Sequence, residues 1–284
     1  AEPFTSFEEA LERGDFDAVD IMLPHNLHET AAIRAFEAGK HVLLEKPMAN
    51  TVAACERILT AADAAARVFM VAEHSHYDPT VVRIQQLLQE GALGQVITAH
   101  AMQAEFLRPS RGADHWRYDK AVAGGGIVID GGMHWIRPLR MWFGEVAEVM
   151  GVLGYPIKRM AGESMAQALI RFTSGTVVHF EGTTTETGRV PSDKYRIVGR
   201  DGTLIVAYGG DGRPRLYAPK QPQGEVVLSE EAAQQDPYGL ELADFAGAVL
   251  DGTELAAGPE ASVADLRVVL ALYRSAETGG WEKP

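Results

Sequence analysis

Lys46 ends the apolar run His41-Val42-Leu43-Leu44 in the order Glu45-Lys46-Pro47, and far downstream Asp130-Gly131-Gly132-Met133-His134 follows a triple glycine, Gly124 to Gly126. An ammonium group, a carboxylate and an imidazole form a set that can take a proton from a hydroxyl while its carbon loses hydride. Histidine suits the base because its ordinary pKa, about 6.5, lies near working pH. Lys46 would lower the cost of alkoxide character in the transition state and orient the hydroxyl. On a helix, Asp130 and His134 would project from one face a turn apart, and Gly131 and Gly132 would let a substrate approach the backbone. Taken singly, Lys46 reads as a strand-end surface lysine and His134 as a satisfied interior histidine. The case for chemistry rests on the set.

The elements that must carry these residues follow from the apolar pattern. Ser6-Phe7-Glu8-Glu9 is a capping box that opens a helix to Arg13. A strand over 18–23 is stopped by Pro24, and a helix over 27–38 is ended by Gly39. A strand over 41–44, an alanine-rich helix over 52–66 and a strand over 68–72 continue the alternation. Short joins of this kind predict a parallel sheet with ligand loops at the carboxyl ends of its strands, where Pro24-His25-Asn26 and Glu45-Lys46-Pro47 fall. Near Tyr77 the pattern changes. Asp78-Pro79 starts a helix that ends at Glu90-Gly91. Strand-like runs follow at 96–105, 146–153, 165–172, 176–184, 195–199 and 203–208, several joined by turns that call for antiparallel neighbours. The polar stretch 220–235 reads as an exposed loop, and helices over 237–250 and 263–278 close the chain. The fold class is α/β followed by α+β, with domains over residues 1–75 and 76–284.

At 284 residues there is room for about two domains of roughly 100 to 200 residues each. With 46% hydrophobic and 23% charged residues the chain has ordinary material for a core. A formal charge of -13 repels phosphate backbones and anionic lipid, so neither nucleic acid nor a membrane is an expected partner. No run approaches the ~18 apolar residues of a membrane helix, and no basic-then-apolar leader is visible at the start. The single cysteine, Cys55, excludes an internal disulfide framework and points to a reducing, cytoplasmic compartment. Its place among alanines marks it as a buried filler.

The Glu45-Lys46-Pro47 and Asp130-x-Gly132-x-His134 signatures resemble those of the Gfo/Idh/MocA family of NAD(P)-dependent oxidoreductases, which act mostly on sugars, polyols and sugar derivatives. Leu23-Pro24-His25-Asn26-Leu27-His28, Tyr77-Asp78-Pro79, Gly91-Ala92-Leu93-Gly94-Gln95-Val96, His115-Trp116-Arg117-Tyr118-Asp119 and the closing helix from Ser262 to Thr278 also fit. The resemblance implies a partial Rossmann-like parallel sheet, then a substrate-binding and oligomerisation domain with a large, mainly antiparallel sheet. It implies NAD or NADP as cofactor, a carbohydrate-like substrate, no metal, and a homo-oligomer, dimer or tetramer. Lys46 and His134 would act in catalysis, with Asp130 holding substrate. Pro24, His28, Glu45 and Lys46 would line the nicotinamide side of the cleft, and Trp116 and Arg117 would reach over from the second domain, Arg117 also toward the substrate. With both motifs in family order, the catalytic reading outweighs the bland one. Two positions depart: many members have arginine where His76 stands and aspartate where Arg137 stands. One hypothesis is that Arg137 or Arg140 recognises an anionic substrate such as a sugar acid; the alternative is a helix arginine paired with Glu145 or Glu148.

Neither Gly-x-Gly-x-x-Gly nor Gly-x-x-x-x-Gly-Lys-[Ser/Thr] occurs, and Gly124 to Gly126 leads to Ile129 where the third fingerprint glycine would fall. A Rossmann half starts with a βαβ unit of roughly 30 residues, so the chain reads as a fragment, a processed product or a variant, with on the order of one or two such units expected before Ala1. Without a phosphate cradle it would be a binding or structural subunit that keeps a sugar cleft but performs no turnover. A third class is a metal-dependent hydrolase. His74-Ser75-His76, alternating at a strand end, resembles the metal-binding start of amidohydrolases, but the lysine precedes it and no eightfold strand-helix alternation follows.

Overall fold

Strands β2 (His41–Glu45) and β3 (Phe69–Ala72) are buried almost throughout, the pattern of parallel strands covered on both faces. In the computed structural model, which describes residues 3–107, 112, 114–186, 188, 192–209 and 211–284, they extend β1 (Ala18–Ile21) into a parallel sheet of order β1-β2-β3. Helix α1 (Phe7–Arg13) starts at Ser6, whose hydroxyl accepts from the Glu9 amide as expected. Helices α2 (His28–Glu37) and α3 (Val52–Ala65) turn Ala31, Ala32, Ala35 and Phe36, and Ala54, Cys55, Ile58 and Ala62, toward the core. Burial pushes the Cys55 thiol up to about 12, which makes it the inert filler expected. The first strand stops at Ile21, short of the expected 23. Met22 and Leu23 are exposed and lead into a 3-10 turn, His25–Leu27, which Pro24 precedes.

Helix α4 (Pro79–Gln89) is capped by Asp78, whose carboxylate accepts from the Thr80 amide. It leads to a second sheet, in which eight strands pair among the described residues. These are β4 (Val96–Phe106), β5 (Val146–Gly154), β6 (Met165–Phe172), β7 (Val177–Thr185), β8 (Asp193–Gly199), β9 (Thr203–Ala207), β10 (Arg215–Ala218) and β11 (Gln221–Val226), in the order β11-β10-β9-β8-β4-β7-β6-β5. Alternation of buried and half-exposed positions along β7 shows one face on the core and one open. Neighbours are antiparallel except β4 and β7, which run parallel. The β5-β6-β7 meander returns beside β4 after a long crossover, which a parallel pair requires and short turns do not reveal. The stretch 220–235, expected as a loop, instead carries β11 and a short helix α7 (Glu230–Ala233). The β10–β11 hairpin is an outer pair with no fully buried position, and β11 carries Pro222 and Gly224, so it has no clean apolar alternation to read.

Between β4 and β5 lie helix α5 (Lys120–Ala123), a π-helical turn (Val128–Gly132) and helix α6 (Met133–Phe143). Helices α8 (Pro237–Asp251) and α9 (Pro259–Thr278) follow the second sheet. Helix α9 begins at Pro259 rather than 263, because proline suits a first helical turn. It packs along β5 and also reaches α3 and β3, so that Leu266, Val269 and Leu272 join a core continuous from Ile21 in the first sheet to Val206 in the second. Helices α6 and α9 are locked by a buried charge network. Arg137 Nε donates to Asp265 Oδ2 at 2.6 Å and its Nη2 to Ser262 Oγ at 3.0 Å, while Arg140 Nη1 donates to Asp265 Oδ1 at 2.6 Å. Removing the shared carboxylate would strand two guanidinium groups. Asp265→Ala is therefore expected to cost about 3–5 kcal/mol in urea unfolding; a loss below about 1 kcal/mol, the scale of an exposed pair, would show that the network does not hold the helices.

Candidate active site

Loops at the carboxyl ends of β2 and β3 meet the π-helical turn and the first turn of α6. Lys46 follows within the β2 loop, Glu73 is the first residue past β3, Asp130 lies in the π-helical turn and His134 lies in α6. Lys46 Nζ donates to the main-chain oxygen of Asp130 and to its Oδ1, the latter at 3.1 Å, and Arg117 Nε donates to Oδ2 at 3.1 Å. Burial pushes the Asp130 carboxyl up, but Lys46 and Arg117 together outweigh that and hold it below the usual carboxylate range. His134 Nδ1 stands 2.7 Å from Glu73 Oε1, which also accepts from the Ser75 amide at 3.1 Å and the Ser75 hydroxyl at 2.5 Å. Glu73 is buried, which raises its pKa; His134, Arg137 and Ser75 more than reverse this and keep it low. An ionised Glu73 can only accept, so Nδ1 of His134 carries the hydrogen, and in the neutral imidazole the lone pair is on Nε2. Sequence reading missed Glu73. Its one signal is position, at the strand end where ligand loops gather.

Lys46, Asp130 and His134 border a cavity of about 810 Å³, with Glu73 buried behind His134. Its other walls come from Glu105 and Phe106 of β4, Lys194 and Tyr195 of β8, Trp135 of α6 and Tyr238 of α8. The Tyr238 ring stacks on His74 at 4.4 Å, and the His74 ring lies 4.4 Å from that of His134. Burial is the largest influence pushing His74 down, to about 4.

The π-helical turn that carries Asp130 is held from behind. Glu163 accepts from the amides of Gly126 at 2.9 Å and Val128 at 3.0 Å and from the Tyr273 hydroxyl at 2.9 Å, and its main-chain oxygen accepts from Ile127 at 2.9 Å. A Cβ at position 126 would collide with the Glu163 backbone, which accounts for that glycine. At position 131 a Cβ would collide with Gln103 Nε2 and Glu105 Oε1. The groups that approach this backbone closely are thus the polar side chains of β4. Asp130 and His134 both face the cavity, as expected, though from a π turn followed by a helix rather than a single α-helical face.

The other expected site residues divide. Glu45 lines the cavity, its carboxyl pushed up by burial against the pull of Lys46. Pro24 is half-buried ahead of its turn. His28 has no exposed surface: its ring nitrogens lie 2.8 Å from Pro47 O and 2.9 Å from Leu23 O, so it braces the two loops from beneath instead of lining the cleft. Arg117 lines the cavity, with its guanidinium over the Trp116 ring at 4.3 Å. Trp116 in turn packs edge-on to His25 at 4.7 Å, so it supports Arg117. His25, placed in a strand-end ligand loop by the sequence but given no role there, lies 3.9 Å from Asp130 Oδ1 and 2.8 Å from Ala123 O, and burial pushes it down to about 4. Arg137 and Arg140 are occupied by Asp265 away from the cavity lining, which overturns the anionic-substrate hypothesis for them. Arg140 does pair with Glu145, at 2.8 Å; Glu148 pairs with Arg171. His74-Ser75-His76 forms a 3-10 turn just past the end of β3 instead of alternating along a strand, and the two sheets among the described residues do not form the hydrolase barrel.

Residues 1–73 match the model of an oxidoreductase family with an NAD-binding Rossmann fold, and residues 81–205 match the GFO/IDH/MocA C-terminal domain. The chain belongs to the Gfo/Idh/MocA family of oxidoreductases. This Gfo/Idh/MocA protein is 29% identical to 1,5-anhydro-D-fructose reductase of Ensifer adhaerens over 97% of its own length and 82% of the relative's. It is 25% identical to D-xylose 1-dehydrogenase [NADP(+)] of Haloarcula marismortui, over 97% and 76%. The crystal structure of aldose-aldose oxidoreductase from Caulobacter crescentus, complexed with glycerol, superposes with a TM-score of 0.84 at 28% identity, covering 98% of this chain and 82% of that one. Among the described residues no helix is long and apolar enough to cross a membrane.

The charged groups of the site make stability depend on pH with two signs. Glu73 and Asp130 have folded pKa values below their unfolded ones, so the stability they contribute is complete above the ordinary carboxylate range and is lost as pH falls through it. Glu241 of α8 is buried near Glu73 and Glu45, and burial first, then those charges, push it up to about 8. The folded chain holds that proton more tightly than the unfolded chain, so this term falls away as pH rises from the carboxylate range to about 8. Thermal melts across pH should show Asp130→Asn flattening the acid limb and Glu241→Gln raising Tm on the alkaline side. Unchanged slopes in both variants would contradict the assignment.

Proposed function

We propose that this chain transfers hydride reversibly between a nicotinamide and a secondary hydroxyl of a sugar, polyol or sugar derivative. One observation carries the reading: the Lys46 ammonium and the His134 imidazole border the same cavity, each fixed by its own carboxylate. The residues present fit the nicotinamide end of NAD or NADP. Pro24, Glu45 and Lys46 stand at the carboxyl ends of parallel strands, and these would hold it. When bound, the nicotinamide supplies a two-electron acceptor.

The protein's own groups handle the proton. His134 Nε2 accepts it from the substrate hydroxyl, and Glu73 stabilises the imidazolium that results. Lys46 donates a hydrogen bond to the oxygen as negative charge develops there, and Asp130 sets the direction of the ammonium. Arg117, held by the same Asp130, sits where it can meet another substrate hydroxyl. Because Lys46 and Arg117 already share Asp130, we read the substrate as neutral rather than as a sugar acid. The open face of the second sheet exposes Met150, Val152 and Leu169, which supports a homo-oligomer within the same reading.

Titration with NAD(H) and NADP(H), followed by nicotinamide fluorescence, and a panel of neutral sugars and polyols test the assignment. In protein that turns over, Lys46→Ala and His134→Ala should each lower kcat by about 100-fold or more, and Glu73→Gln should lower kcat while leaving KM nearly unchanged. Near-parental rates in both Lys46→Ala and His134→Ala would remove the roles. Sugar binding without nicotinamide binding would favour the structural-subunit reading.

A further inference from the structure

Glu73, His74 and His134 offer one ligand atom each within 4.8 Å of one another. Two imidazoles and a carboxylate are the donor set of open zinc sites, in which three protein ligands leave a position for water or substrate. A second observation concerns Glu73. It is 1% exposed, and its Oε2 has no hydrogen-bond partner among the described residues, while Oε1 serves Ser75 and His134. A buried, unpaired carboxylate oxygen is costly, and a cation would satisfy it. The Ser75 bonds orient the carboxylate as outer partners orient metal ligands. His74 and His134 both border the cavity, so the fourth position is open to solvent and substrate.

We propose that this trio binds a zinc-class divalent cation reversibly, His134 through Nδ1, and that the bound cation inhibits the enzyme by moving the imidazole hydrogen to Nε2, which can then no longer accept the substrate's proton. Zinc bonds of about 2.0–2.2 Å require the ligand atoms to close to roughly 3.3 Å apart. His74 has room for that movement, since its stacking partner Tyr238 is exposed. Lys46, whose charge reaches His74, and Arg137, whose charge reaches Glu73, oppose a dication, so the affinity is micromolar rather than that of a structural zinc site. Magnesium, which prefers oxygen ligands, does not compete. The inhibition rests on the reading of His134 as base; the binding does not.

Chain stripped of metal with EDTA and dialysed is titrated with zinc chloride by calorimetry and with cobalt chloride by visible absorption, in the parent and in His74→Gln. One zinc per chain, a tetrahedral cobalt spectrum, and binding weakened by at least about tenfold in His74→Gln are expected. In protein that turns over, the ratio of rates with and without zinc is read within each variant, so any effect of the substitution on the rate itself cancels. Zinc should inhibit the parent in competition with the sugar, EDTA should reverse it, and His74→Gln should be about tenfold less sensitive. Absence of saturable one-to-one binding, equal affinity in parent and variant, or full turnover by the zinc-loaded parent would each overturn the proposal. If His74→Gln does not fold, paramagnetic NMR of the parent's cobalt form decides: two shifted imidazoles support the site, and none refutes it. Should no sugar be turned over, the binding measurements still stand or fall independently of the oxidoreductase reading.

Discussion

The arrangement depends on one mostly buried carboxylate. Asp130 sits between Lys46, from the loop after β2, and Arg117, from the chain between β4 and α5, and binds both. A charge with so little exposure is tolerable only when paired, so the loop and the π-helical turn have a single low-energy register. Any displacement that separates them leaves Asp130 facing two cations it cannot reach or Lys46 without its acceptor. The first sheet and the segment before α6 are therefore fixed to one another at the place where a substrate would lie.

Two carboxylates divide the work. Asp130 is bracketed by permanent cations and fixes where they point; Glu73 is paired with a group that can gain or lose a proton. Each stays ionised in spite of burial, through different neighbours. Glu163 adds a third role, since it spends both oxygens on backbone amides and a tyrosine hydroxyl and so shapes the turn without entering the cavity.

Much of this was legible in the residues. The apolar runs at β2 and β3, the small-residue faces of α2 and α3, and the caps at Ser6 and Asp78 are local signals, and local signals survive into the fold. Lys46, Asp130 and His134 were recognisable because their motifs differ from background composition. Glu73 was not, since one acid among 39 acidic residues stands out only when tertiary contacts place it beside an imidazole. The burial of His28 was hidden for the same reason: a histidine at a strand end can face a cleft or brace a loop, and the choice depends on where Leu23 and Pro47 place their carbonyls. The parallel β4–β7 pair and the outer β10–β11 hairpin escaped because neither partner choice nor edge pairing is written in side-chain periodicity.

The α6–α9 contact has a consequence for how substitutions travel between related chains. Position 137 holds arginine, and its counter-charge comes from Asp265 on a distant helix. An aspartate placed there alone would set two anions against each other, with Arg140 left to neutralise both. The charges here act as one unit, so a change of sign at position 137 is tolerated only when position 265 on the other helix changes with it.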